Sequence, residues 1–196
     1  MFEKQPWMQR AGEFPQSDQE YFALLARAVF SAGLGPKVVE SRWQQMGEAF
    51  HGFDAAQVSL MSEEDVARLL SDPGVIRNRR KIEAVIKNAG TFLERGEEQK
   101  AAVAAAAATR GAAAMAAADA VGGAGKRGRS RAGGGNGRPA FHEYLLDMGA
   151  AADLDLAADG LAHVFTHLGR TSALFFLFSA GFRPRETGGL PVPANG

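Results

Sequence analysis

The sequence predicts an all-α protein, and three observations carry that expectation. No stretch sustains the apolar–polar alternation of a strand. Apolar residues recur instead at i, i+3, i+4 and i+7, first in Val66, Leu69 and Leu70, then in Ile82, Val85, Ile86, Ala89, Phe92 and Leu93. Breakers part these runs at Gly33 to Pro36, at Gly52, at Asp72-Pro73-Gly74 and at Gly169.

Residues 1–16 hold Trp7, Phe14 and two prolines without a period, and read as an arm that packs by its aromatics. Ser17 or Asp18 then caps a helix whose buried stripe is Phe22, Leu25, Ala26 and Val29, and Gly33 ends it. A second helix follows from Lys37, with Val39, Trp43, Met46 and Phe50 on one face. Asp54 caps a short helix, and Ser62 with Asp65 makes a capping box for the next. The turn at Asp72-Pro73-Gly74 joins that helix to the long apolar run beyond it as a hairpin.

From residue 97 to residue 139 the chain becomes an Ala/Gly/Arg-rich insertion. Its alanine half can extend a helix by propensity alone, and its Gly/Arg half reads as a linker. That linker carries Lys126, Arg127, Arg129, Arg131 and Arg138 without an acid among them. Phe141, Tyr144, Leu145 and Met148 then form one apolar face, and Leu161, Val164, Phe165 and Leu168 another. Thr171 or Ser172 is the expected cap of a last helix, apolar nearly all round and so central, with a loose tail from Phe182.

Composition narrows the function classes. Formal net charge is zero, so attraction to a polyanion must come from local clusters. There is no cysteine, which removes disulfides and thiolate metal sites. The N-terminus lacks the apolar core of a signal peptide, and the most hydrophobic run, 173–180, is too short to cross a bilayer. One intracellular, soluble, monomeric domain over 1–196 is expected, with 97–139 inserted in it. His163 and His167 stand at i, i+4 but lack a third ligand, so neither metal nor cofactor is expected.

The oddest local feature is the positive cluster at the hairpin: Arg77, Asn78, Arg79, Arg80 and Lys81. Cations there oppose the helix macrodipole. A phosphate arriving at this turn would meet backbone N–H groups at Gly74, Val75 and Ile76, the positive end of the dipole, and the side chains of Arg77, Asn78, Arg79 and Lys81. A solvated basic face accounts for the same residues equally well.

Several blocks together point further. DQEYFALLARAVFSAGL (18–34), AFHGFD (49–54), LLSDPGVIRNRRKIEAVIKNA (69–89) and VFTHLGRTSALFFLFSAG (164–181) resemble the DNA-3-methyladenine glycosylase I family. The resemblance implies a helix-hairpin-helix glycosylase fold that grips double-stranded DNA and takes a damaged base out of the stack. It implies hydrolysis of the N-glycosidic bond of an alkylated purine, without the lyase step, since no suitable Asp follows Lys81.

The chain departs from the family's pattern at several places. The family's glutamate position is Ala28, Pro36 stands where a tryptophan is expected, and the Tyr-His-Asp motif near the N-terminus is missing. The family's zinc site cannot form without cysteine. Glu40 is the candidate replacement carboxylate, and Phe30 and Trp43 are the candidate aromatics of a base pocket. The alternative is a DNA-binding module that kept the hairpin and lost the chemistry.

Overall fold

The computed structural model describes residues 6–120 and 138–184. Among them all regular structure is helical. The first helix, α1 (Asp18–Ser31), is capped by Ser17, whose hydroxyl accepts from the Glu20 N–H at 3.2 Å. The predicted second helix is broken in two, α2 (Pro36–Glu40) and α3 (Trp43–Ala49), by a turn at Ser41 and Arg42. That break rotates Trp43 relative to Val39, and only Val39, Met46 and Phe50 of the expected stripe are fully buried.

The chain then passes through three consecutive left-handed residues, His51, Gly52 and Phe53, at φ 53°, 66° and 58°. Only Gly52 adopts this freely, so the turn is held by what it presents. Phe53 stacks on Trp43 at 4.5 Å and on Phe50 at 5.7 Å. Helix α4 (Ala55–Ser59) is capped by Asp54, and α5 (Glu63–Ser71) by the Ser62–Asp65 capping box. Each cap was expected from residue type alone.

Helix α6 runs Arg79–Ala120 without a break, which takes it well into the predicted insertion. Its first five turns carry the core residues Ile82, Val85, Ala89 and Phe92. From Ala101 to Arg110 the helix shows mostly exposed alanine, so propensity rather than burial sustains it there. Residues 1–5, 121–137 and 185–196 lie outside the described residues, and with them most of the Gly/Arg linker and of the expected loose tail. The first residues of that tail are not loose: Phe182 is buried, and Arg183 donates to the Gln9 carbonyl at 3.1 Å.

The chain after residue 138 completes the core. Helix α7 (Ala140–Asp147) delivers Phe141 to the middle of an aromatic cluster. Its ring stacks on Phe92 at 4.1 Å and meets Tyr21, Tyr144, Phe165 and Phe176 within 6.3 Å. Beside it His142 is buried, with Nδ1 2.5 Å from the Tyr21 hydroxyl, and burial pushes its pKa below the ordinary histidine value.

Helices α8 (Leu154–Val164) and α9 (Arg170–Ser179) pack on each other, and α9 packs in turn against α1. Gly169, not Thr171 or Ser172, occupies the cap position of α9, without a side-chain bond. The helix starts two or three residues earlier than expected, with Arg170 in its first turn paired with Asp155 at 2.6 Å. The N-terminal arm docks here as predicted: Gln9 N–H donates to Ser179, Gly12 N–H to Gly181, and Trp7 meets Phe175 edge-on at 5.9 Å.

Candidate functional site

A cavity of about 320 Å³ opens where α1 ends. Its floor is Ala28, Ser31 and Ala32, one wall is Val39 and Glu40 of α2, and the other is Ser172 and Phe175 of α9 with Trp7 of the arm. Four separate stretches of chain therefore meet at one concavity, a usual setting for a small-molecule site. Ala28 lies within it, at the position where the resemblance places a carboxylate.

A carboxylate is nevertheless present. Glu40 reaches the same cavity from α2, as its place just beyond the breaker suggested. Its Oε2 accepts from Nη2 of Arg27 at 2.7 Å, and its side chain is just over half exposed. Arg27 itself is only 2% exposed. Its guanidinium carbon lies 3.8 Å from the centre of the Trp7 ring and 4.3 Å from that of Trp43. Burial pushes the Arg27 pKa down to about 10, against the opposing pull of Glu40.

Desolvated cation–π contacts of this kind contribute about 2 kcal/mol or more each. They explain why an arginine tolerates this depth. Sequence reasoning missed Arg27 because it stands in the middle of an apolar stripe, with its partners 20 residues upstream and 16 downstream. Such a charge on the buried face of a helix is the signal that could have found it.

Of the two predicted pocket aromatics, Trp43 touches the site through Arg27. Phe30 does not reach the cavity: it is fully buried and packs edge-on against Phe50 at 5.8 Å. Positions two apart on a helix are rotated by about 200°, so Phe30 and Ala28 face nearly opposite sides.

The hairpin forms where expected, but its positive charges are sorted. Lys81 is turned inward: its ammonium donates to the carbonyls of Phe30 at 2.8 Å and Ala32 at 2.5 Å, and burial lowers its pKa. It satisfies the open end of α1 and is not displayed to a phosphate, which corrects its expected role. Arg79 is shared between Glu63 and Glu83, both at 3.0 Å. Arg77 and Arg80 are exposed and make no ion pair among the described residues.

The turn's backbone is partly occupied too. Gly74 N–H donates to Asp72 Oδ1 at 2.7 Å and Val75 N–H to the Asp72 carbonyl, so neither is open to a phosphate as expected. Asn78 caps α6 by accepting from the Lys81 N–H at 3.2 Å. The N–H groups of Arg79 and Arg80, at the first two positions of that helix, have no intrahelical acceptor. Open donors and unpaired cations thus meet at residues 77–80, a few residues later than predicted.

A further polar device positions the far wall. Asn88 of α6 is 1% exposed and makes a two-way bond with the Thr166 backbone, accepting its N–H at 2.7 Å and donating to its carbonyl at 2.9 Å. This fixes the α8–α9 turn, where His167 stands at φ 56°. His163 bonds the Asp159 carbonyl, and no metal-ligating cluster exists among the described residues. Nor is any described helix long and apolar enough to cross a membrane.

Comparison with known proteins gives the arrangement a context. Residues 7–115 match the family model described as methyladenine glycosylase. DNA-3-methyladenine glycosylase 1 of Escherichia coli (strain K12) is 38% identical over 81 residues, 41% of this chain and 43% of that protein. DNA-3-methyladenine glycosylase of Haemophilus influenzae is 34% identical over 80 residues, 40% and 43% of the two chains. The chain thus spans less than half the length of the curated relatives it matches.

In three dimensions the likeness is broader. A structure of 3-methyladenine DNA glycosylase I from Staphylococcus aureus, concerned with 3-methyladenine recognition, superposes with a TM-score of 0.63 at 19% identity over 96% of this chain and 92% of that one. A crystal structure of 3-methyladenine DNA glycosylase I gives 0.61 at 21% identity over 91% and 90%. At such identities the likeness is one of fold.

Proposed function

Because the chain belongs to the methyladenine glycosylase family, we infer that it excises an alkylated purine of the 3-methyladenine type from duplex DNA. One observation carries this reading: Glu40 brings a carboxylate into the cavity whose floor contains Ala28. The carboxylate therefore comes from α2 instead of α1, and the pocket keeps an acidic edge.

The hairpin would hold the DNA backbone through Arg77, Arg80 and the open N–H groups of α6. Such contacts fix register without reading sequence, which suits an enzyme that must work wherever damage falls. Lys81 links this platform to the cavity, since its ammonium bonds Ala32, which lines the rim. A base flipped while the hairpin grips the backbone would arrive at a fixed offset.

Alkylation at N3 leaves the purine positively charged, so chemistry asks little of the protein. The bond from C1′ to N9 breaks, its electron pair neutralises the ring, and a water oxygen bonds C1′ as its proton passes to Glu40 or to solvent. Glu40 would also oppose the positive charge that builds on the sugar.

The Arg27–Glu40 pair suits a second reading, a DNA-binding module without base excision, because the guanidinium already occupies Oε2 of the one carboxylate that reaches the cavity among the described residues. The two separate in one assay: free-base release from alkylated duplex DNA, with each purine identified by chromatography. The glycosylase reading expects release of 3-methyladenine that falls in Glu40→Gln. Binding of the duplex with no base released would favour the module.

A further inference from the structure

The guanidinium of Arg27 sits in what would otherwise be a ready seat for another flat cation. Two indole faces lie over it at 3.8 and 4.3 Å, and a carboxylate meets its edge at 2.7 Å. Aromatic faces with an acid at the rim are how proteins take up organic cations generally. The seat also fits Arg27 incompletely, since its buried Nε has no hydrogen-bond partner. A buried N–H without an acceptor weakens the arrangement that leaves it so. The cavity of about 320 Å³ opens beside the side chain, giving it space to move into.

We propose that Trp7, Trp43 and Glu40 form a recognition cage for a flat, positively charged purine, with Arg27 as a resident plug that the entering base displaces. The inference rests on the cavity being the base pocket, and adds to it a means of selection. Expelling Arg27 forfeits two cation–π contacts and the Glu40 ion pair. A cationic purine restores all three contacts, whereas a neutral one restores only stacking. The plug therefore turns away undamaged bases by an exchange of cation for cation, a selection by penalty on the wrong ligand.

The chain has two tryptophans, and both belong to the cage, so intrinsic fluorescence reports on this site alone. The probes are 7-methylguanosine, a flat cation, and guanosine, its neutral counterpart. In Arg27→Ala, 7-methylguanosine should bind at least about tenfold more tightly than in the natural chain, because an open cage no longer has to be populated first. It should also bind at least about tenfold more tightly than guanosine, and adding Glu40→Gln should remove most of that preference. Should Arg27→Ala fail to fold by circular dichroism, Arg27→Met, similar in length and uncharged, carries the same expectation.

Equal affinity with and without Arg27, or equal affinity for the two nucleosides, overturns the proposal. Base release from alkylated duplex, run in parallel on the natural chain, separates the two readings. Release with no effect of Arg27 on nucleoside affinity removes the plug and leaves the glycosylase. Nucleoside binding that depends on Arg27, without release, keeps the cage and removes the catalysis.

Discussion

Lys81 illustrates how one side chain can look available in sequence and be committed in space. It belongs to a run of basic residues, yet its ammonium closes the end of α1 on two carbonyls. Replacing it by methionine leaves those carbonyls without their charged donor, and charge-assisted bonds of this kind contribute roughly 2 kcal/mol. Lys81→Met is therefore expected to lower stability by about that amount in urea unfolding. It should leave the salt dependence of DNA binding unchanged, because this cation meets no phosphate. A flattened salt dependence in a folded Lys81→Met chain would return the residue to the DNA surface. Arg27 is the converse case: its place on an apolar face marks it as unusual, but its role comes from Trp7 and Trp43, which only folding brings to it.

At the scale of the element, the caps and the long amphipathic helix were legible because their signals are local. Ser17, Asp54 and the Ser62–Asp65 box act within four residues of themselves. The break between α2 and α3 was not legible, as the apolar spacing from Val39 to Phe50 is continuous and the turn at Ser41 and Arg42 carries no glycine or proline. The start of α9 was hidden for a similar reason: Gly169 at its cap offers no side-chain signal, and the partner of Arg170, Asp155, stands on another helix. The docking of the N-terminal arm depends on Gly181, which stands at φ 95° with the Glu13 carbonyl only 2.0 Å from where a Cβ would be. Backbone faces backbone there, and no flexible side chain can yield. Gly181→Ala is expected to lower stability by at least about 2 kcal/mol. It should also loosen the arm that carries Trp7, read as a red shift of tryptophan emission. By contrast, Gly160→Ala meets only the end of Met148, which can turn aside, so its effect should be small.

At the scale of the molecule, zero net charge makes the local sorting of cations decisive. A neutral chain has no long-range pull on DNA, so binding must come from the few charges left unpaired at one edge. The fold supplies them by pairing Arg79 with Glu63 and Glu83 and burying Lys81, which leaves Arg77 and Arg80 to face outward. The hairpin was readable in the sequence because Pro73-Gly74 marks it, but the division of its charges was not, as it depends on acids of α5 and on the end of α1. If these two arginines each neutralise a phosphate, reversing both in Arg77→Glu/Arg80→Glu should reduce the slope of log affinity against log salt by about two. Arg79→Glu should change it less, because its charge is already spent on two carboxylates. The comparison is made on an undamaged duplex across a salt series, so it measures grip apart from any base recognition. An unchanged slope in the double variant would place the DNA surface elsewhere on the molecule, and the cluster at 77–80 would be a solvated helix face.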